Sequence, residues 1–165
     1  MNDLMNNLPG IVESVVTHDN MTFTTTKSRG DENFVLNGAF WMVKHPTLDD
    51  VSLMLKSLKN PSDNYFAILQ AGAHDGVLDM KKLVGNCGYI QVGYLHEDGD
   101  FGRAGEYCVE THFLYGALND DGTAGEDFRT EQFRKNTTRF DEVEQLFLSF
   151  LQGNTPDVKG WTNVT

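Results

Sequence analysis

Glu110 and His112 stand two residues apart in "EYCVETHFLYG", and a strand there would put a carboxylate and an imidazole on one face, since side chains repeat with a period of two. Such a pair could serve as base and orienter. Nothing in the sequence completes it: G-x-S-x-G does not occur, and Cys108, on the same face, has no evident activating neighbour. A satisfied polar network or a partly wet sheet edge accounts for the same residues. No catalytic residue is assigned, and the chain is not read as an enzyme.

Metal chemistry fares no better. "NDDGTAGEDFRT" from Asn119 has the look of a calcium loop, but Ala124 occupies the position that needs glycine and Thr130 the one that needs a bidentate glutamate. "HEDGD" from His96 packs its donors into five residues of one turn, too close in sequence to converge on a single ion. His18, His45 and His74 fall in turns or before a helix and read as surface polar residues. Gly99, Gly102 and Gly105 recur every three residues, which is neither a dinucleotide fingerprint nor a phosphate-cradling loop. No metal and no cofactor is expected.

Charge is the stronger signal. The 165 residues carry a net charge of −11, a field that repels phosphate backbones and anionic headgroups and attracts cationic partners. Direct nucleic-acid and membrane binding are therefore disfavoured, although acidity also serves solubility alone. The acids gather in two turns, Glu97, Asp98 and Asp100 with Glu106 close by, and Asp120, Asp121, Glu126 and Asp127. The candidate partner-binding residues are Glu97, Asp98, Asp100, Asp120, Asp121, Glu126 and Asp127, although a meander would set the two loops at opposite ends of its strands. Tyr94, Phe101 and Tyr115 lie near the same loops and could anchor a partner, unless Tyr94 and Tyr115 face the core.

The elements that must hold these residues suggest one α+β domain over 1–165, a mainly antiparallel meander with two helices packed against it. An N-terminal hairpin is expected over 11–26, turning at "THDN", and "KSRGDEN" reads as a polar turn. "FVLNGAFWMV" reads as a strand interrupted by the hairpin dipeptide Asn37-Gly38. A helix spans 47–59, capped by Thr47, with Asp49 and Asp50 in its first turn and Leu48, Val51, Met54, Leu55 and Leu58 as its apolar stripe. Strands follow at 65–71, 87–95, 105–115 and 126–135. A second helix at 139–152 starts from Thr138 and Asp141 as a capping-box-like pair and ends at Gly153. The tail 154–165 has no periodicity, but Trp161 should dock it. Cys87 and Cys108, near opposite one another if the hairpin turns at Glu97 and Asp98, are expected to be buried free thiols. "MNDLMNNLPG" has neither a basic nor an apolar signal region, and no run approaches a membrane span, so the cytoplasm is the expected location.

The strand ending near Gln70, the "YIQV" strand from Tyr89 to Val92, the "VE" strand at Val109 and Glu110, and the closing "DEVEQLFLSFLQG" from Asp141 to Gly153 together resemble immunity proteins of bacterial polymorphic and contact-dependent toxin systems. The resemblance covers about residues 65 to 153. It implies a cytosolic protein that binds the C-terminal domain of one cognate toxin, often a basic nuclease, and blocks its active or substrate-binding surface. Two other readings stay open: an acidic nucleic-acid mimic, or a small enzyme or ligand-binding module using Glu110 and His112.

Overall fold

Alternation of buried and half-buried residues along "AILQA", "CGYIQVGY" and "YCVETHFLY" is the signature of strands with one dry face. The computed structural model describes residues 11–18, 21–27, 33–74 and 77–165. Along the chain the strands are β1 (Ile11–His18), β2 (Met21–Lys27), β3 (Phe34–Gly38), β4 (Met42–Lys44), β5 (Ala67–Ala71), β6 (Ala73–His74), β7 (Val77–Leu78), β8 (Cys87–Tyr94), β9 (Tyr107–Tyr115), β10 (Arg129–Thr137) and β11 (Thr162–Asn163). The helices are α1 (Leu48–Lys56), continued by a 3-10 turn at Ser57–Lys59, and α2 (Phe140–Leu151).

Seven strands form an antiparallel sheet in the order β11-β10-β9-β8-β5-β3-β4. The expected α+β class and meander of β8, β9 and β10 are observed. Its one departure is a crossover through α1, which returns the chain past β3 to lay down β5. β1 and β2 form the separate N-terminal hairpin, and most of "KSRGDEN" lies outside the described residues. The tail adds β11 to the edge of β10, with Trp161 packed against the core, as its docking role required. Among the described residues no helix is long and apolar enough to cross a membrane.

Both helices pack on the same face. Val51, Met54, Leu55 and Leu58 of the first helical segment and Val143, Phe147, Phe150 and Leu151 of α2 meet Leu36, Leu69, Ile90, Val92, Val109 and Phe113 of the sheet in one core. Burying a side chain of this size stabilises by roughly 1.5–3 kcal/mol. Leu48, assigned to the apolar stripe, is instead 40% exposed. As the first residue after the cap, it lies outside the span that meets the sheet.

Several boundaries moved for local reasons. Asn37 and Gly38 are not the hairpin turn: Asn37 pairs with Met42 inside the ladder, and the Gly38 amide donates to the Trp41 carbonyl, which shifts the turn to Ala39 and Phe40. At α2 the expected pairing of Thr138 with Asp141 does not form. Arg139 is the N-cap residue with no side-chain cap bond, Asp141 is taken up by the Arg139 guanidinium, and Glu142 accepts from the Thr137 hydroxyl. Gly153 does close α2, at φ 95°, donating to the Phe150 carbonyl while Asn154 donates to Ser149. The segment between β5 and β8, for which the sequence suggests no element, holds the β6–β7 hairpin and a 3-10 turn at Met80–Lys82. His18 and His74 therefore end strands rather than sit in turns.

The cap of α1 is more elaborate than the sequence suggested. Thr47 Oγ1 accepts from the Asp50 amide at 3.1 Å, and Asp50 Oδ2 accepts from the Thr47 amide at 2.9 Å. Asp50 is fully buried, and Oδ1 has no hydrogen-bond partner. Burial pushes its carboxyl up from 3.8 to about 6, against the two Thr47 hydrogen bonds that favour the anion, with Asp49 adding to the rise. A raised folded value means that the folded state holds its proton more tightly than the unfolded chain, so stability falls as pH rises between about 4 and 6. The size of that effect is about 3 kcal/mol. Asp50→Asn keeps an acceptor for the Thr47 amide and removes the titration. Urea melts at pH 4 and pH 7 should show the wild type losing stability relative to Asp50→Asn over that interval; a constant difference would mean that Asp50 does not titrate there.

Candidate functional site

With both helices on one side, no helix or strand among the described residues covers the opposite face of the sheet, and the register dictates its rows. One row runs Met42, Asn37, Ile68, Gln91, Glu110, Arg134, Thr162; the next runs Lys44, Val35, Gln70, Tyr89, His112, Gln132. Glu110 and His112 share this face, as the period of two required. A register shift between Cys87 and Tyr89 turns Cys87 into the core, opposite Phe113, while Tyr89 faces outward opposite His112.

Glu110 and His112 do not act on each other by hydrogen bonding. Gln91 Nε2 donates to Glu110 Oε2 at 2.7 Å, and Arg134 Nη2 donates to Oε1 at 3.2 Å. The Arg134 guanidinium also lies 5.0 Å from the centre of the Phe101 ring. His112 stacks on Tyr89 with ring centres 4.1 Å apart, and its Nε2 is buried without a partner. Burial lowers the His112 pKa below its usual 6.5, opposed by the Glu110 charge. The pair is therefore a packed, half-buried network around one ion pair. The neutral imidazole is the folded form, so protonation below pH 6.5 destabilises the fold. A proton NMR titration should place the His112 midpoint below 6.5, and Glu110→Gln, which removes the opposing charge, should lower it further. A midpoint above 6.5 would instead indicate a functioning carboxylate–imidazole pair.

The cysteines are not opposite one another. Gly93 is the partner of Cys108 and Phe113 that of Cys87, because the β8–β9 connection is centred three residues beyond the expected turn. Both thiols are free, but only Cys87 is buried. Burial pushes that thiol up to about 12, which makes it inert. Cys108, half-buried on the uncovered face, is also raised by desolvation.

The connection 95–106 is long because it is tied to itself. The Leu95 amide donates to Glu106 O and the Gly105 amide to Leu95 O, while Gly99 and Gly102 exchange backbone bonds. Asp98 accepts from the Ala104 amide, Glu106 from that of Arg103, and the Asn136 amide group of β10 donates to Phe101 O at 2.6 Å. Gly102 is required here: at φ 148° an added Cβ would meet Asn136 Nδ2 at 2.1 Å. Glu97, Asp98 and Asp100 are exposed on this loop; Asp120, Asp121, Glu126 and Asp127 are exposed on the connection between β9 and β10, at the other end of the strands. Asp121 accepts from the amide and hydroxyl of Thr123, which lower its pKa. Among the described residues none of these seven carboxylates is ion-paired, whereas Arg129, Arg134, Lys135 and Arg139 are engaged by Glu131, Glu110, Glu142 and Asp141. Among the described residues no group of His, Cys, Asp and Glu is arranged to hold a metal.

Tyr94 and Tyr115 pack against the core, and Phe101 is 58% exposed. Sequence reading missed a hollow of about 380 Å³ on the uncovered face, lined by Phe66, Ile68, Gln91, Leu95, Phe101 and Cys108 among others, with Glu110 at its side and Gly93 in its floor. Beside it the buried Asn64 side chain accepts from the Ala39 amide, and Phe40 and Tyr65 make an edge-to-face contact at 5.8 Å. The available signal was a glycine late in "GYIQVGYL" that no turn explains.

Comparison with protein-family models, curated proteins and solved structures found no match to this chain.

Proposed function

We propose that this protein works by docking on a cationic protein, as an immunity protein does when it neutralises a cognate toxin, and that it does so in the cytoplasm. The observation that carries this reading is the distribution of charge. The cations of β10 and the start of α2 are engaged by neighbouring acids, while the seven loop carboxylates stand exposed and have no ion-pair partner among the described residues. Arg103 is the one arginine or lysine on these two loops, so against seven carboxylates and a net charge of −11 the charge they display is negative.

A nuclease-type toxin must present a basic surface to phosphates, and an acidic inhibitor can occupy that surface after long-range attraction has accelerated the encounter. Nucleic-acid mimicry is less well supported, because β9 separates the two acidic loops by about 30 Å and the face between them is mixed rather than a regular line of carboxylates. Catalysis by Glu110 and His112 has less support again, since each is engaged by other neighbours.

Changing Glu97, Asp98, Asp100, Asp120, Asp121, Glu126 and Asp127 to the matching amides keeps the acceptors that shape both turns. Stopped-flow mixing with a basic toxin domain that the wild-type chain inhibits should show association slowed about tenfold or more at low salt, with the difference vanishing at high salt. Unchanged association and undiminished toxin inhibition would sink the electrostatic reading.

A further inference from the structure

Gly93 is the penultimate residue of β8, paired with Cys108 in the ladder of the sheet. A glycine inside a strand weakens it relative to alanine, and where one stands it marks a bulge, a bend, or a place where another molecule comes close. The register shift in this strand lies elsewhere, between Cys87 and Tyr89. The φ of Gly93 is not positive, and an added Cβ would meet nothing nearer than the Tyr65 carbonyl oxygen at 3.6 Å, an ordinary contact. The backbone does not need glycine here. What the missing side chain does leave is the floor of the hollow.

Its walls are mainly apolar: Phe66 and Ile68 on one side, Leu95 and Phe101 on the other. Leu95 and Phe101 are also the two ends of the segment that displays Glu97, Asp98 and Asp100, so the depression and the acidic loop are one structural unit. Phe101 in that lining is 58% exposed, and Tyr65, 54% exposed, packs edge-on against Phe66 with ring centres 5.5 Å apart. Aromatic residues around a depression, with charge outside them, are the anatomy of an interface hot spot. A volume of about 380 Å³ lies at the low end of the range for small-molecule sites.

We propose that this hollow receives one apolar side chain of a cationic protein partner, with Lys or Arg residues beside that anchor meeting Glu97, Asp98 and Asp100. The proposal rests on the docking reading above and locates it on the uncovered sheet face. The charge argues against a second copy as occupant, because seating two chains of net charge −11 on this face would bring acidic loops together.

The test uses two synthetic pentapeptides, one with phenylalanine flanked by two basic residues on each side and one with serine at its centre. Amide NMR shifts of the wild-type chain should move saturably at Gln91, Gly93, Phe101 and Cys108 with the phenylalanine peptide, which should bind at least tenfold more tightly than the serine peptide. Gly93→Leu fills the hollow from its own floor and should abolish that preference; should it fail to fold, Gly93→Ala should narrow the preference while raising the melting temperature. Equal binding of both peptides, lost when the loop acids are neutralised, would overturn the hollow and leave electrostatic docking standing. Binding of neither peptide would also overturn the hollow, while inhibition of the toxin domain would still test docking separately. Sedimentation showing a wild-type dimer that Gly93→Leu dissolves would assign the hollow to a second copy and overturn the proposal.

Discussion

Placing both helices on one face of a seven-stranded sheet is the constraint from which the remaining features follow. One face is dry and closed by Phe147, Phe150, Leu55 and Leu58. The other must present strands to water, and it does so by pairing its own side chains. Tyr89 covers His112, Gln91 and Arg134 share Glu110, and the Arg134 guanidinium lies over Phe101. Such cross-strand contacts are individually small, roughly 0.2–1 kcal/mol each. Taken together they make the uncovered face a fixed surface with a defined depression.

The acids of the two loops divide by task. Asp98 and Asp121 accept backbone amides within their own turns, the usual reason for aspartate at such places. Glu97, Asp100, Asp120, Glu126 and Asp127 have no such bond among the described residues. A turn therefore explains only part of the charge. The unexplained part is what a partner can use, and it lies on both sides of the sheet's ends rather than in one patch. The loop 95–106 differs from the other in having an apolar depression attached to it.

Sequence patterns read the central strands well because β8 and β9 each bury one face only, which makes the period of two visible. The turn between them was misplaced for a physical reason. A turn at Glu97 and Asp98 fits the local sequence, but the connection is set by the Leu95–Glu106 and Gly99–Gly102 backbone bonds and by the close approach of Gly102 to Asn136. Neither is written locally. Cys87 is buried as expected, but through a bulge that reverses alternation at one point, whereas Cys108 on the uncovered face is only half-buried. Glu110 and His112 were correctly placed on one face, yet their partners Gln91, Arg134 and Tyr89 come from neighbouring strands, and only the register brings those together. The capping carboxylate of Asp50 was legible as a first-turn acid but not as a buried one, because burial depends on what α1 packs against.

The Glu110–Arg134 pair shows how the uncovered face and the acidic loop are coupled. Removing a carboxylate and a guanidinium partly from water costs free energy that their attraction repays only with good geometry. Here the same guanidinium also steadies the Phe101 ring, and two residues further along β10 Asn136 holds the Phe101 carbonyl. Two side chains on the same face of one strand thus fix the loop at its Phe101 ring and its Phe101 carbonyl. Because Glu97, Asp98 and Asp100 ride on that loop, their positions are set before any encounter. A loop already ordered loses less conformational freedom on binding, so more of the contact energy remains as affinity. An ion pair that contributes little to overall stability can in this way decide how well a neighbouring surface binds.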